Sequence, residues 1–94
     1  MIVRLVGKRW RLQFVPRLAD DGRCDPPDRP HKTISIARRL RGERQLDVLL
    51  HELLHACNWQ LDEEHITQTA TDIARVLWRL GYRKGESARR SDCA

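Results

Sequence analysis

The stretch DVLLHELLHACNWQLDEEH, residues 47–65, decides how this chain is interpreted. Its first half predicts an α-helix that is apolar around most of its circumference, which is typical of a helix packed in a core. His51 and His55 stand four residues apart, so both imidazoles project from the same face of that helix. Because unpaired polar groups are costly to bury, two imidazoles on a core helix require partners.

The letters HELLH match the spacing HExxH, which has a definite metal chemistry. Two neutral imidazoles at this spacing bind Zn²⁺, and the glutamate between them, Glu52, reaches a metal-bound water as a general base. A catalytic zinc needs a third protein ligand, for which the stretch offers Glu63, Glu64 and His65. The alternative is that the pattern arose by chance on an amphipathic helix and that the domain is metal-free.

The phase of the second helix separates the three candidate ligands. Its apolar residues recur at alternating spacings of four and three, which predicts the face that packs on the core: Ile66, Ala70, Ile73, Leu77 and Leu80. Glu63 precedes Ile66 by three positions and shares that face, whereas Glu64 lies about 100° and His65 about 200° further round. Glu63 is therefore the predicted third ligand, with His65 or Glu64 as the alternative.

The rest of the chain predicts a small α+β domain. Its patterns predict strands over 2–6, 10–15 and 32–37, followed by helices over 43–58 and 62–80. Asp62 is the expected N-cap of the second helix, and Gly81 is expected to end it. Residues 16–30 contain all four prolines and predict a long loop without regular structure.

We therefore expect an antiparallel sheet of about three strands at the N-terminus, packed on an antiparallel two-helix hairpin. This single domain is expected over 1–82. The remaining residues, 83–94, have few apolar side chains and predict a disordered basic tail.

Length and composition limit the possible functions. The 94 residues suffice for one domain with a modest core, so an active site would be shallow. No apolar run approaches the roughly 18 residues that span a bilayer, and no secretory signal follows Met1, so we expect a cytoplasmic protein without a membrane segment. The default oligomeric state is a monomer. Three widely spaced cysteines are expected to stay reduced.

HELLH, followed by a helix with an in-phase glutamate, resembles the gluzincin type of zinc metallopeptidase. The short strands before it resemble the minimal zincin-like domains, and the similarity covers residues 33–80. It implies one Zn²⁺ per chain, with His51, His55 and Glu63 as ligands. It also implies that an extended peptide pairs with an edge strand of the sheet, and 32–37 is the strand expected in that place.

The chain departs from the family pattern after the glutamate. Gluzincins carry a small residue three positions on and an acidic or amide residue four positions on, where this chain has Ile66 and Thr67. Thr67 or Asp47 would then have to orient an imidazole by a hydrogen bond.

Three other residues carry weaker signals. His31 and Tyr82 are candidate oxyanion stabilisers, with an ordinary surface position as the alternative for each. Cys24 is a candidate inhibitory fourth zinc ligand or simply a loop cysteine.

Two functions follow from these observations. The first is a zinc-dependent hydrolase, a small metallopeptidase that acts on a peptide or protein substrate. The alternative is a zinc-containing or metal-free binding module, which contacts nucleic acid or an acidic protein through its arginine cluster, Arg38, Arg39 and Arg41. The net charge of +5 is compatible with either function.

Overall fold

The computed structural model of the protein describes residues 1–85. Four strands come first, β1 (Ile2–Leu5), β2 (Lys8–Val15), β3 (Gly22–Cys24) and β4 (Thr33–Ala37), and two helices follow, α1 (Gly42–Cys57) and α2 (Glu63–Arg79). The strands form one sheet in the order β1-β2-β4-β3. The α+β class is as predicted, and each predicted element begins and ends within two residues of its expected bounds.

The first hairpin follows from local sequence. The register Leu5↔Lys8 leaves Val6 and Gly7 as a two-residue turn, and both have positive φ, 48° and 75°. Two consecutive positive φ angles are typical of a type I′ turn, whose twist matches that of the strands it joins. Along β2 the buried residues Trp10 and Leu12 alternate with exposed arginines.

The sheet differs from the predicted antiparallel arrangement. β2 pairs with β4 in parallel, with Leu12 opposite Ile34, and the loop expected over 16–30 contains β3, which pairs antiparallel with β4. The prediction of an edge position for 32–37 is therefore wrong, because β4 lies between β2 and β3. Parallel pairing is possible because the connection from β2 to β4 is long enough to return the chain to the same end of the sheet.

The sheet has one covered face and one open face. The covered face consists of side chains that pack towards the helices, among them Trp10, Leu12, Ile34 and Ile36. The open face consists of the side chains that alternate with these, namely Ile2, Arg4, Arg9, Arg11, Gln13, Arg23, Thr33 and Ser35. In residues 1–85, α1 contacts the sheet and α2 contacts α1 but none of the strands.

The buried stripe of α2 is narrower than predicted. Ile66, Ala70 and Ala74 are fully buried, whereas Ile73 is 38% and Leu80 is 69% exposed. Ile73 and Leu80 were predicted in the buried face, and this was wrong, because among the elements of residues 1–85 only α1 covers the helix, and it contacts a single line of residues four apart.

The ends of α2 are as expected. Asp62 accepts a hydrogen bond from the backbone N–H of His65, at 3.3 Å, as an N-cap, and Gly81 follows the helix with φ of 97°. Among the residues that the structure describes, neither helix is long and apolar enough to cross a bilayer.

Most of the predicted tail, residues 86–94, lies outside the described residues. The first residues of the predicted tail are described, and they contact the domain. The Arg83 guanidinium lies 3.3 Å from the centroid of the Trp78 ring, and the Lys84 ammonium lies 4.0 Å from that of Phe14.

Candidate metal centre

His51, His55 and Glu63 converge at the junction of the two helices. The Nε2 atoms of the two histidines are 3.1 Å apart. One carboxylate oxygen of Glu63 lies 2.9 Å from His51 Nε2, and the other lies 2.9 Å from His55 Nε2. The structure thus brings together the three residues that were predicted as metal ligands.

The spacing of these atoms fits a zinc ion. Around a tetrahedral Zn²⁺ with bonds of about 2.1 Å, neighbouring ligand atoms are about 3.4 Å apart. The observed separations of 2.9–3.1 Å are somewhat shorter than that value, so the three side chains would move slightly apart around a bound ion. Without a cation, two imidazole nitrogens that face each other need a proton between them, whereas a divalent cation accepts a lone pair from both and from the carboxylate.

The three side chains differ in exposure. Those of His51 and His55 are 20% and 18% exposed, while that of Glu63 is 68% exposed. Trp59 packs edge-on against His55, with ring centroids 6.2 Å apart. The histidines are therefore held by surrounding atoms, and the side of the cluster that faces solvent remains accessible. Catalytic zinc sites need such an accessible position, because water or substrate completes the coordination.

Glu52 belongs to α1, its side chain lies between this helix and β3, and the residue is only 9% exposed. Burial, together with the smaller effects of the negative charges of Glu63 and Asp20, raises the pKa of its carboxyl to about 7. A neutral-range pKa is suitable for a group that accepts and returns a proton near pH 7. Glu52 is not one of the three converging ligands, so it is free for that role.

Gly22 in β3 determines how closely the sheet approaches Glu52. A Cβ atom at this position would lie 2.9 Å from Glu52 Oε2 and 2.8 Å from Val48 Cγ1. Both distances are too short for a real contact, so any larger residue here would force the strand or the side chains of Val48 and Glu52 to shift. Sequence reasoning missed this residue, although a glycine inside a strand is a signal for close approach of a neighbouring group.

Asp21 connects β3 to the start of α1. Its two carboxylate oxygens accept hydrogen bonds from Arg39 at 2.8 Å and Arg44 at 2.6 Å. The hydrogen bonds from Arg44 and then Arg39 lower the pKa of Asp21 below its ordinary value. This contact fixes the N-terminal end of β3, next to Gly22.

The predicted arginine cluster is partly engaged within the protein. Arg39 is paired with Asp21, Arg38 donates to the backbone oxygen of Phe14 at 3.3 Å, and Arg41 donates to the backbone oxygen of Arg38 at 2.9 Å. These contacts leave fewer guanidinium hydrogen bonds of the cluster available to an external partner.

The alternative ligands and orienting groups lie elsewhere. Glu64 and His65 are exposed and do not belong to the converging group. Asp47 accepts a hydrogen bond from Thr71 Oγ1 at 3.0 Å and so connects α1 to α2. Within residues 1–85, no hydrogen bond joins Thr67 or Asp47 to either histidine ring.

The other predicted site residues are also not part of the cluster. His31 lines a groove with Arg9 and Arg11. Tyr82 follows the far end of α2, about 25 Å along the helix from Glu63 at 1.5 Å per residue, so the structure does not support an oxyanion role for it. Cys24 is outside the converging group, and burial raises the pKa of its thiol to about 12, which opposes the thiolate form that zinc binds.

Comparisons with protein-family models, with curated proteins and with solved structures find no match for this chain. The likeness to gluzincins remains a resemblance carried by HELLH and its in-phase glutamate.

Proposed function

We propose that this protein is a zinc-dependent hydrolase of the metallopeptidase class, with one Zn²⁺ held by His51, His55 and Glu63. The observation that carries the proposal is the convergence of two imidazole nitrogens and one carboxylate from two helices, all within 4.8 Å of one another. Zinc hydrolases commonly use this donor set of two histidines and one glutamate.

The roles of the residues follow from their positions. When bound, Zn²⁺ supplies a Lewis acid that polarises a carbonyl group and lowers the pKa of a water molecule. Glu52 accepts the proton of the attacking water and passes it to the leaving amine, which suits its raised pKa of about 7. Because Gly22 has no side chain, this carboxyl can lie close to β3.

The edge of β3 is the proposed place for a peptide substrate. The bonds from Ala37 N to Asp21 O and from Asp25 N to Thr33 O show which residues of this strand pair with β4. By the alternation of an antiparallel ladder, the backbone groups of Gly22 and Cys24 point to the free edge. A peptide that adds to this edge as a strand would lie beside Glu52.

Metal content tests the site directly. Purified protein is expected to contain about one zinc per chain by elemental analysis, and removal of the metal by a chelator is expected to lower the melting temperature. His51→Ala should lose the metal, whereas His31→Ala should retain it because His31 is outside the cluster. Zinc far below one per chain in the unchanged protein, together with no effect of the chelator, would reject the site.

Replacement of the general base tests the chemistry. Glu52→Gln is expected to reduce cleavage of a mixture of quenched fluorescent peptides by about 10²–10⁴-fold with unchanged zinc content. Glu64→Gln, an exposed glutamate on the same side of the molecule, is the matched control and should keep full activity. Undiminished cleavage by the Glu52→Gln protein would contradict a catalytic role for Glu52, but it would not contradict the metal site.

A further inference from the structure

The open face of β1 and β2 carries three arginines close together. In the register of the hairpin Arg4 lies directly opposite Arg9, and Arg11 is the next residue along β2 on the same face. Such neighbours lie about 5–7 Å apart in a sheet. Helix α1 packs on the covered face and α2 packs on α1, so neither helix covers these side chains in residues 1–85. We refer to Arg4, Arg9 and Arg11 as the arginine triad.

The triad has no acidic partner within the protein. In residues 1–85, no carboxylate oxygen lies within 4.0 Å of a guanidinium nitrogen of Arg4, Arg9 or Arg11. On the β3 side of the same face, Arg23 is paired with Asp20 at 3.3 Å. Like charges directly opposite each other destabilise a sheet, so the Arg4–Arg9 pair is a cost to the fold. An external anion would compensate for that repulsion.

A groove of about 640 Å³ extends from the triad to the start of β4. Within residues 1–85 its polar lining includes no carboxylate and is rich in hydrogen-bond donors, namely Arg9, Arg11, Gln13, His31, Lys32 and Thr33. The other lining residues are Ile2, Pro30 and Trp10, whose side chain belongs to the covered face. The groove therefore continues the positive character of the triad across the open face.

We propose that the open face binds the phosphate backbone of a nucleic acid without reading its base sequence. Guanidinium groups match phosphate oxygens in a bidentate geometry, and arginines outnumber lysines at this surface. A protein interface would need an apolar centre, and insertion into a membrane would need several apolar anchors. In residues 1–85 this face has only one large, exposed apolar side chain, that of Ile2, which is 53% exposed.

This proposal does not depend on the zinc site, because the triad and the metal ligands lie on opposite sides of the sheet. Fluorescence anisotropy with a short labelled DNA duplex of random sequence, and with one of its single strands, provides the test. If three phosphates are neutralised, the logarithm of the duplex affinity falls with the logarithm of salt concentration with a slope of about −2.7. Binding should then weaken roughly 40-fold between about 50 and 200 mM salt.

The decisive variant changes Arg4, Arg9 and Arg11 to glutamine. It should lose most of the salt-dependent binding, and Arg11→Gln alone should reduce the slope by about one unit. The matched control removes the same charge elsewhere by changing Arg17, Arg75 and Arg79, three exposed arginines without an ion pair in residues 1–85. Circular dichroism verifies that all variants are folded.

Three results would overturn the proposal. They are the absence of duplex and single-strand binding at low salt, an equal loss of binding in the control and triad variants, and binding of polyglutamate as tight as that of DNA. The last result would assign the surface to an acidic protein.

Discussion

Side chains of opposite character occupy the two faces of the sheet, although both come from the same strands. On the covered face Trp10 and Ile34 are almost completely buried, and Gly22 has no room for a Cβ atom beside the carboxyl of Glu52. On the open face Arg9 and Arg11 are exposed and have no acidic partner in residues 1–85. Because successive residues of a strand point to opposite faces, each substitution on one face has a natural control on the other.

The largest difference between the faces should appear in stability. Ile34→Ala removes a side chain that is 0% exposed, and it should lower the free energy of unfolding by about 2–5 kcal/mol, measured by urea denaturation. Arg11→Ala, one strand away on the open face, should change it by less than about 0.5 kcal/mol. Similar losses for the two variants would contradict the assignment of the faces.

The faces should also differ in thiol reactivity. Burial raises the pKa of Cys24 to about 12, and the negative charges of Glu52 and Asp25 act in the same direction. The thiol therefore stays protonated up to strongly alkaline pH, and its alkylation near pH 8 should be roughly 10³-fold slower than that of an ordinary thiol. A cysteine introduced by Arg23→Cys on the open face is the control, with both rates followed by peptide mass spectrometry. Equal rates would show that Cys24 is not protected.

A smaller effect is expected where β3 meets α1. Gly22→Ala forces the strand or Glu52 to move, because the new Cβ would lie 2.9 Å from the carboxylate oxygen. Overpacking of this kind costs about 1–3 kcal/mol, measured by thermal or urea unfolding, and should also reduce peptide cleavage. Arg23→Ala, the next residue on the opposite face, should leave both nearly unchanged. A Gly22→Ala protein with normal stability and activity would show that the close approach of β3 to Glu52 is not required for either property.

The smallest effect concerns the ion pairs of Asp21, which are exposed to solvent. Arg44 and Arg39 lower the pKa of this carboxyl, so its contribution to stability is present above the ordinary value of 3.8 and is lost as the pH falls through the lower, folded-state value. Asp21→Asn should therefore be less stable than the unchanged protein at pH 7, and the difference should vanish in strong acid. Asp28→Asn, which removes an exposed carboxylate without an ion pair in the described residues, is the control for thermal unfolding at both pH values.

Local periodicity accounts for the parts of the structure that were predicted from sequence. The four-residue spacing of His51 and His55 puts them on one face of any α-helix, and the position of Glu63 relative to Ile66 brings it to the same junction. The caps of α2 are equally local, since Asp62 bonds a backbone group three residues away.

Pairing between distant segments accounts for what was missed. β3 has only three residues, in a loop rich in proline, and it exists because β4 supplies its hydrogen bonds. The parallel pairing of Leu12 with Ile34 has no signature in the alternation of either strand. Ile73 was misplaced because periodicity indicates an apolar side but not how much of that side a neighbouring helix covers.

The short distance in sequence between His51 and Glu63 has a consequence for the order of folding. The three ligands are contributed by one helical hairpin, whereas the sheet requires Leu12 to find Ile34 across a long loop. Closing a short loop costs less chain entropy and is faster than forming a distant strand pair. His51, His55 and Glu63 can therefore come together before the sheet is complete, so a metal ion bound as proposed would stabilise the helical hairpin independently of the strand pairing.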